Sequence, residues 1–109
     1  MDPNNKKSIL IIEDEKLLAE AIKRKLERNG FAVSIAIEGG EGMQKSLEEH
    51  PDLILLDIVL PLMDGLTLLK RLREDEWGKN VPVIILSNLS DAATIKESEE
   101  RGVYDYLVK

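Results

Sequence analysis

Short apolar runs alternate with charged segments of helical period along this chain. SILII (Ser8–Ile12), FAVSIAI (Phe31–Ile37), LILL (Leu53–Leu56), VPVIIL (Val81–Leu86) and VYDYLV (Val103–Val108) predict five strands. Three of them are rich in Ile, Leu and Val with little alternation, as in strands covered on both faces, whereas Phe31–Ile37 alternates and suits a sheet edge. Between the first two runs, EKLLAEAIKRKLERNG sets Leu18, Ile22 and Leu26 on one face at four-residue spacing, and Gly30 ends the helix. A second helix carries Met43 and Leu47, and a third, after Gly65, carries Leu68, Leu69 and Leu72. The fourth, SDAATIKESEERG, can be capped by Ser90 or Asp91 and ended by Gly102. Ile95 is its only large apolar residue, which predicts the most loosely held helix. Strand and helix in strict alternation imply an α/β fold with a parallel, doubly wound sheet and right-handed crossovers.

Composition narrows the function. The 109 residues suit one domain, 1–109, and 43% hydrophobic residues suffice for a single core. No apolar run approaches the ~18 residues of a membrane span, and the opening MDPNNKKS lacks a signal peptide's apolar stretch. There is no cysteine, which excludes disulfides and thiolate metal sites. Fifteen Lys and Arg against 21 Asp and Glu give a net charge of −6, which disfavours direct contact with nucleic acid or an anionic membrane. A reducing, cytoplasmic setting is the default expectation.

The segment LILLDIVLPLMDG (Leu53–Gly65) drives a buried strand straight into a carboxylate, Asp57. An uncompensated polar group there costs about 2–7 kcal/mol, and more if charged. In an open parallel sheet, ligands bind beyond the carboxyl ends of the strands, at a switch in strand order. Glu13 and Asp14 follow the first strand, Asp57 the third, Ser87 the fourth and Lys109 the fifth, so all converge on one sheet edge. Carboxylates crowded together either raise a pKa or recruit a cation, and Mg²⁺ suits hard oxygen ligands beside a phosphoryl group. An ionised carboxylate beside Mg²⁺ can attack phosphorus to give an aspartyl phosphate, with Lys109 balancing the added charge and Ser87 donating to it.

The acidic pair Glu13-Asp14, the segment DIVLPLMDG, Ser87 and the ending DYLVK together resemble the receiver domain of two-component response regulators, across essentially the whole chain. The resemblance implies a five-stranded flavodoxin-like sheet of order 2-1-3-4-5. It implies Asp57 as phosphoacceptor and a Mg²⁺ site at Asp14, at Glu13 partly through water, at Asp57 and at the backbone carbonyl of Val59. Ser87 matches the switch hydroxyl, Tyr106 the aromatic whose rotamer follows phosphorylation, and Lys109 the phosphate-binding lysine. The implied donor is a phosphohistidine on a sensor histidine kinase or phosphotransfer protein. The receiver's own chemistry is transfer to Asp57 and later hydrolysis.

Two departures carry expectations. The residue after the switch hydroxyl is usually Ala or Gly in the family and is Asn88 here, which predicts altered dephosphorylation. The family pattern also continues past the lysine with Pro and a fifth helix, whereas this chain stops at Lys109, so a receiver lacking that helix is expected. The apolar face it leaves uncovered would favour self-association.

Taken singly, these residues have plainer readings. Glu13 and Asp14 could cap the first helix, worth ~0.5–2 kcal/mol. Asp57, Asp64-Gly65 and Ser87 could be turn residues, and Tyr106 a core residue. His50 precedes Pro51 and is a poor phosphotransfer histidine, Trp77 reads as a loop anchor, and Asn88-Leu-Ser fits a glycosylation sequon only on a secretory route. Three other functions compete: a receiver fold used only as a protein-binding module, a flavin- or nucleotide-binding domain, and a Mg²⁺-dependent hydrolase. EDEK after the first strand would repel an unmetallated phosphate, and DIV lacks the second carboxylate of a D-x-D pair.

Overall fold

A computed structural model describes residues 6–88 and 92–109. Five strands alternate with four helices among them: β1 (Ser8–Ile12), α1 (Lys16–Arg28), β2 (Ala32–Ala36), α2 (Gly39–Glu49), β3 (Leu53–Leu56), α3 (Gly65–Glu74), β4 (Val83–Ser87), α4 (Ala92–Glu100) and β5 (Asp105–Val108). All pair in parallel, in the order β2-β1-β3-β4-β5. The chain therefore switches direction across the sheet between β1 and β3. That is where an open parallel sheet leaves a crevice beyond its strand ends.

β1 and β3 begin and end where the apolar runs do. β4 and β5 start two residues later than the sequence predicts, and β4 runs on to Ser87. Pro82 has no amide to donate, so it stands before the strand, although its carbonyl accepts from Ile54 at 3.0 Å. β2 is an edge strand, as its alternation suggests.

The two faces are unequal. Leu10, Ile12, Ile54, Leu56, Val83 and Ile85 are buried against Leu68, Leu69 and Leu72 of α3, with Met43 of α2 alongside. On the other face Ile9 and Ile11 pack with Ala19, Ile22 and Leu26 of α1. The expectation of strands covered on both faces holds for β1. It holds in part for β3, whose Leu53 and Leu55 are half-buried against that α1 cluster, and fails for β4, whose Ile84 and Leu86 are half-buried outside it although Val83 and Ile85 on the opposite face are buried. Leu107, opposite Leu86, is 47% exposed.

Leu47 is exposed rather than core-facing; α2 buries Gly39, Gly42 and Ser46 instead. A Cβ on Gly42 would come within 2.8 Å of Ile12, so small residues let α2 lie close on β1. His50 ends α2 in the left-handed region (φ 47) and stacks on Trp77, with ring centroids 4.4 Å apart. Ser90 and Asp91, expected to cap α4, lie outside the described residues, as does the serine of the Asn88 sequon. No helix among the described residues is long and apolar enough to cross a membrane.

Candidate functional site

Backbone pairing delivers the polar side chains to one edge. Ile12 pairs with Leu56, and the Asp57 amide donates to the Ile12 carbonyl at 3.0 Å, which sets Glu13 beside Asp57. Ser87 pairs with Val108, and the Lys109 amide donates to the Ser87 carbonyl at 2.8 Å. The first residue past β5 thereby reaches back across the sheet end.

Lys109 Nζ donates to Asp57 Oδ2 at 3.1 Å and makes an ion pair with Glu13 Oε1. Both carboxylates are buried, Glu13 at 3% and Asp57 at 5% exposed. The other Asp57 oxygen, Oδ1, accepts the Val59 amide at 3.1 Å, so the chain itself orients the carboxylate. Asp14 is exposed at the rim. Glu13, Asp14 and Asp57 each offer an oxygen within 4.8 Å of the others. Asp14, Glu15, Asp57, Val59, Asn88 and Lys109 line an open cavity of about 160 Å³. A wider cavity of about 620 Å³ lies along α1 at Ala21, Arg24, Glu27 and Arg28, away from these groups.

Burial raises the Glu13 carboxyl to a pKa of about 7; the hydrogen-bonded contact and charge of Asp57 add to this, and Lys109 opposes it. Burial works against the Lys109 ammonium, but its contacts with Glu13 and Asp57 outweigh that and hold it above the ordinary lysine value. The site is thus short of positive charge. Glu13 Oε1 is buried and, apart from the ion pair with Lys109, accepts no hydrogen bond among the described residues. Three converging carboxylates, two of them buried and offset by one ammonium, fit a hard divalent cation.

Glu15, rather than Glu13 or Asp14, is the N-cap of α1, and its own side chain makes no capping bond, although Glu13 Oε2 accepts the Glu15 amide at 3.5 Å. Asp64 does cap α3, its Oδ1 accepting the Thr67 amide at 2.9 Å. Ser87 is fully buried at the end of β4 and does not line the cavity, although Asn88 does. Tyr106 is half-buried against the core, opposite Ile85 and outside the cavity.

One supporting residue escaped the sequence reading. A Cβ on Gly65 would sit 2.2 Å from the Asp57 carbonyl oxygen, and the Gly65 amide donates to the Ile58 carbonyl at 2.7 Å. The start of α3 therefore presses on the backbone that carries Asp57. The Asp-Gly dipeptide was the available signal, but it reads equally as a turn.

Residues 9–109 match the family described as the response regulator receiver domain. The chain is 38% identical over 101 residues to the transcriptional regulatory protein CseB of Streptomyces coelicolor, covering 93% of this chain and 42% of that protein. It is 36% identical over 109 residues to the transcriptional regulatory protein ResD of Bacillus subtilis, covering 100% of this chain and 44% of that protein. The chain thus spans less than half the length of these curated relatives. Among solved structures, the receiver domain of Francisella response regulator 1452 superposes with a TM-score of 0.87 at 37% identity, over 94% of this chain and 84% of that one. The receiver domain of a Pseudomonas aeruginosa sensor histidine kinase superposes with a TM-score of 0.86 at 28% identity, over 95% and 85%; that structure has a magnesium ion coordinated in its active-site cleft.

Proposed function

This chain belongs to the response regulator receiver family, and from that premise we propose that it is a signalling switch that accepts a phosphoryl group on Asp57. The donor in this reading is a phosphohistidine of a sensor histidine kinase or phosphotransfer protein, in the cytoplasm. One observation carries it: a buried carboxylate, Asp57, held between a backbone amide and an ammonium, with two further carboxylates beside it at a cavity.

Glu13, Asp14 and Asp57, with the Val59 backbone carbonyl, would hold Mg²⁺. When bound, the ion neutralises part of the carboxylate charge that otherwise repels an anionic donor. A carboxylate oxygen of Asp57 attacks phosphorus; the P–N bond to the donor imidazole breaks, and its electron pair stays on the ring nitrogen, which takes up a proton. Lys109, already 3.1 Å from Asp57, turns to the new phosphoryl oxygens. In hydrolysis, water attacks phosphorus, the bond to the Asp57 oxygen breaks, and inorganic phosphate leaves the regenerated carboxylate.

Phosphorylation adds about −1.5 to −2 charge and three acceptor oxygens. Ser87 donates to them, Tyr106 turns inward, and the surface of α4 and β5 changes partner. The net charge of −6 argues that this domain does not itself hold nucleic acid, while relatives twice its length are transcriptional regulators. The test is intact-protein mass after incubation with Mg²⁺ and acetyl phosphate. A gain of one phosphoryl group that is absent from Asp57→Asn supports the reading, and an equal gain in both proteins removes it.

A second proposal concerns assembly. Leu55, Ile84, Leu86 and Leu107 lie on one face of the sheet and stay half-buried or exposed, so this face would associate with a second copy. Light scattering over a concentration series should show a mass rising with concentration, and Leu107→Lys should suppress it. A monomer throughout would remove the proposal.

A further inference from the structure

Arg73, in the last turn of α3, spends four of its five N–H donors on backbone carbonyls from two other segments. Nη1 donates to Gly78 at 2.7 Å and to Val81 at 2.8 Å, both in the loop that leads into β4. Nε donates to Arg101 at 2.8 Å and Nη2 to Gly102 at 3.0 Å, where α4 ends. A planar guanidinium can span acceptors on two sides at once; an ammonium, a single point with three donors, cannot.

The end of α4 is tied in other ways too. The Gly102 amide donates to Glu99 at 3.0 Å with Gly102 in the left-handed region (φ 74), and the Val103 amide donates to Ser98 at 3.4 Å. Ser98 is fully buried. The Tyr104 amide then donates to Val83 at 2.7 Å, entering the sheet. The cation of Arg73 also lies at the negative end of the α4 dipole, where positive charge is favourable. Toward its start the helix is different: Ala92, Ala93, Lys96 and Glu97 are exposed, and Ile95 is half-buried.

We infer that Arg73 is a positioning residue that pins the C-terminal end of α4 to α3 and to the loop before β4, so that α4 responds to the switch by tilting about Arg101 and Gly102. The inference rests on the phosphorylation reading above. It adds that the moving part is the start of the helix and that the fixed part is held to α3 and the loop before β4 by the Arg73 side chain. None of these four hydrogen bonds of Arg73 goes to a residue that lines the acidic cavity.

Hydrogen exchange of the full chain, with and without Mg²⁺ and acetyl phosphate and with intact mass read in parallel, tests this. In the wild type, phosphorylation should change exchange over residues 92–97 and leave residues 101–104 unchanged. In Arg73→Lys and Arg73→Met, phosphorylation should still occur, and the exchange change should spread into 101–104. A merely structural role would raise exchange equally in both states; such a result, or equal changes at both ends of α4 in the phosphorylated wild type, overturns the pivot. If neither variant folds, the wild-type comparison alone decides. A wild type that takes up no phosphoryl group removes the switch reading and the pivot with it.

Discussion

Lys109 and Asp57 lie 52 positions apart in the chain, yet the Lys109 ammonium donates to the Asp57 carboxylate across 3.1 Å. The pairing of β5 on β4 produces this contact, since the last amide of the ladder, from Lys109 to Ser87, sets where the side chain begins. The same ammonium neutralises part of Glu13. One cation thus offsets two buried carboxylates in the resting site.

Replacing Lys109 with Met should make metal binding and phosphoryl handling diverge. Without the ammonium, Glu13 and Asp57 face each other uncompensated. Metal-free stability should fall by roughly 1–3 kcal/mol, less than the roughly 3–5 kcal/mol of a fully enclosed pair because this site opens on a cavity. Mg²⁺ should bind more tightly by calorimetry, because a competing positive charge is gone, while phosphorylation by acetyl phosphate slows. Weaker Mg²⁺ binding would contradict the assignment of Lys109 as the counter-charge.

Glu13 should impose a pH dependence on the metal-free protein. Its folded pKa is raised from 4.5 to about 7, so between these values the folded state keeps a proton that the unfolded state releases. Its contribution to stability is fully present below pH 4.5 and is lost as pH rises through about 7. Lys109 adds no slope in this window, because its raised pKa confers stability present at all pH values below the ordinary lysine range. Urea denaturation in EDTA should therefore show stability falling between pH 5 and pH 8, with the slope reduced in Glu13→Gln. A parallel slope in that variant would assign the dependence to another group.

Gly65→Ala should damage the site from behind. An added Cβ would stand 2.2 Å from the Asp57 carbonyl oxygen, so either α3 or the Asp57 backbone must move. Overpacking against backbone costs typically 1–3 kcal/mol, and a loss of about that size is expected in denaturation. Phosphorylation should fall further than the stability loss explains, because the Val59 amide that orients Asp57 lies in the displaced segment. A variant of wild-type stability and activity would show that α3 has room the packing does not suggest.

Asn88 lines the cavity beside Asp57 and Lys109. Asn88→Ala should widen the approach for water and shorten the lifetime of the phosphorylated form, followed by the decay of intact mass after removal of the donor. An unchanged decay would remove Asn88 from the control of hydrolysis.

How much of this was legible beforehand depends on whether the determinant is a side chain. β1 and β3 could be bounded from sequence because charged or turn residues flank their apolar runs, and Glu13, Asp14, Asp57, Ser87 and Lys109 all fall where strand ends put them. β4 and β5 begin later than their apolar runs because a ladder needs amides in register, and hydrophobicity carries no information on that. Leu47 misled because α2 approaches the sheet through Gly39, Gly42 and Ser46, so the large residue was not the buried one. Arg73 in a last helical turn reads as an ordinary dipole partner; its acceptors are backbone carbonyls, which no sequence letter distinguishes. Gly65 hid in the same way, behind a dipeptide common in turns.

The central claim is that Asp57 itself becomes an acyl phosphate, and reductive trapping tests it most directly. Borohydride reduces an aspartyl phosphate to homoserine, which peptide mass mapping can place in the chain. After Mg²⁺ and acetyl phosphate, homoserine is predicted at position 57 and nowhere else, and it should be absent when EDTA replaces Mg²⁺. Homoserine at position 14, or none at any position in a folded, Mg²⁺-loaded protein, would contradict the account.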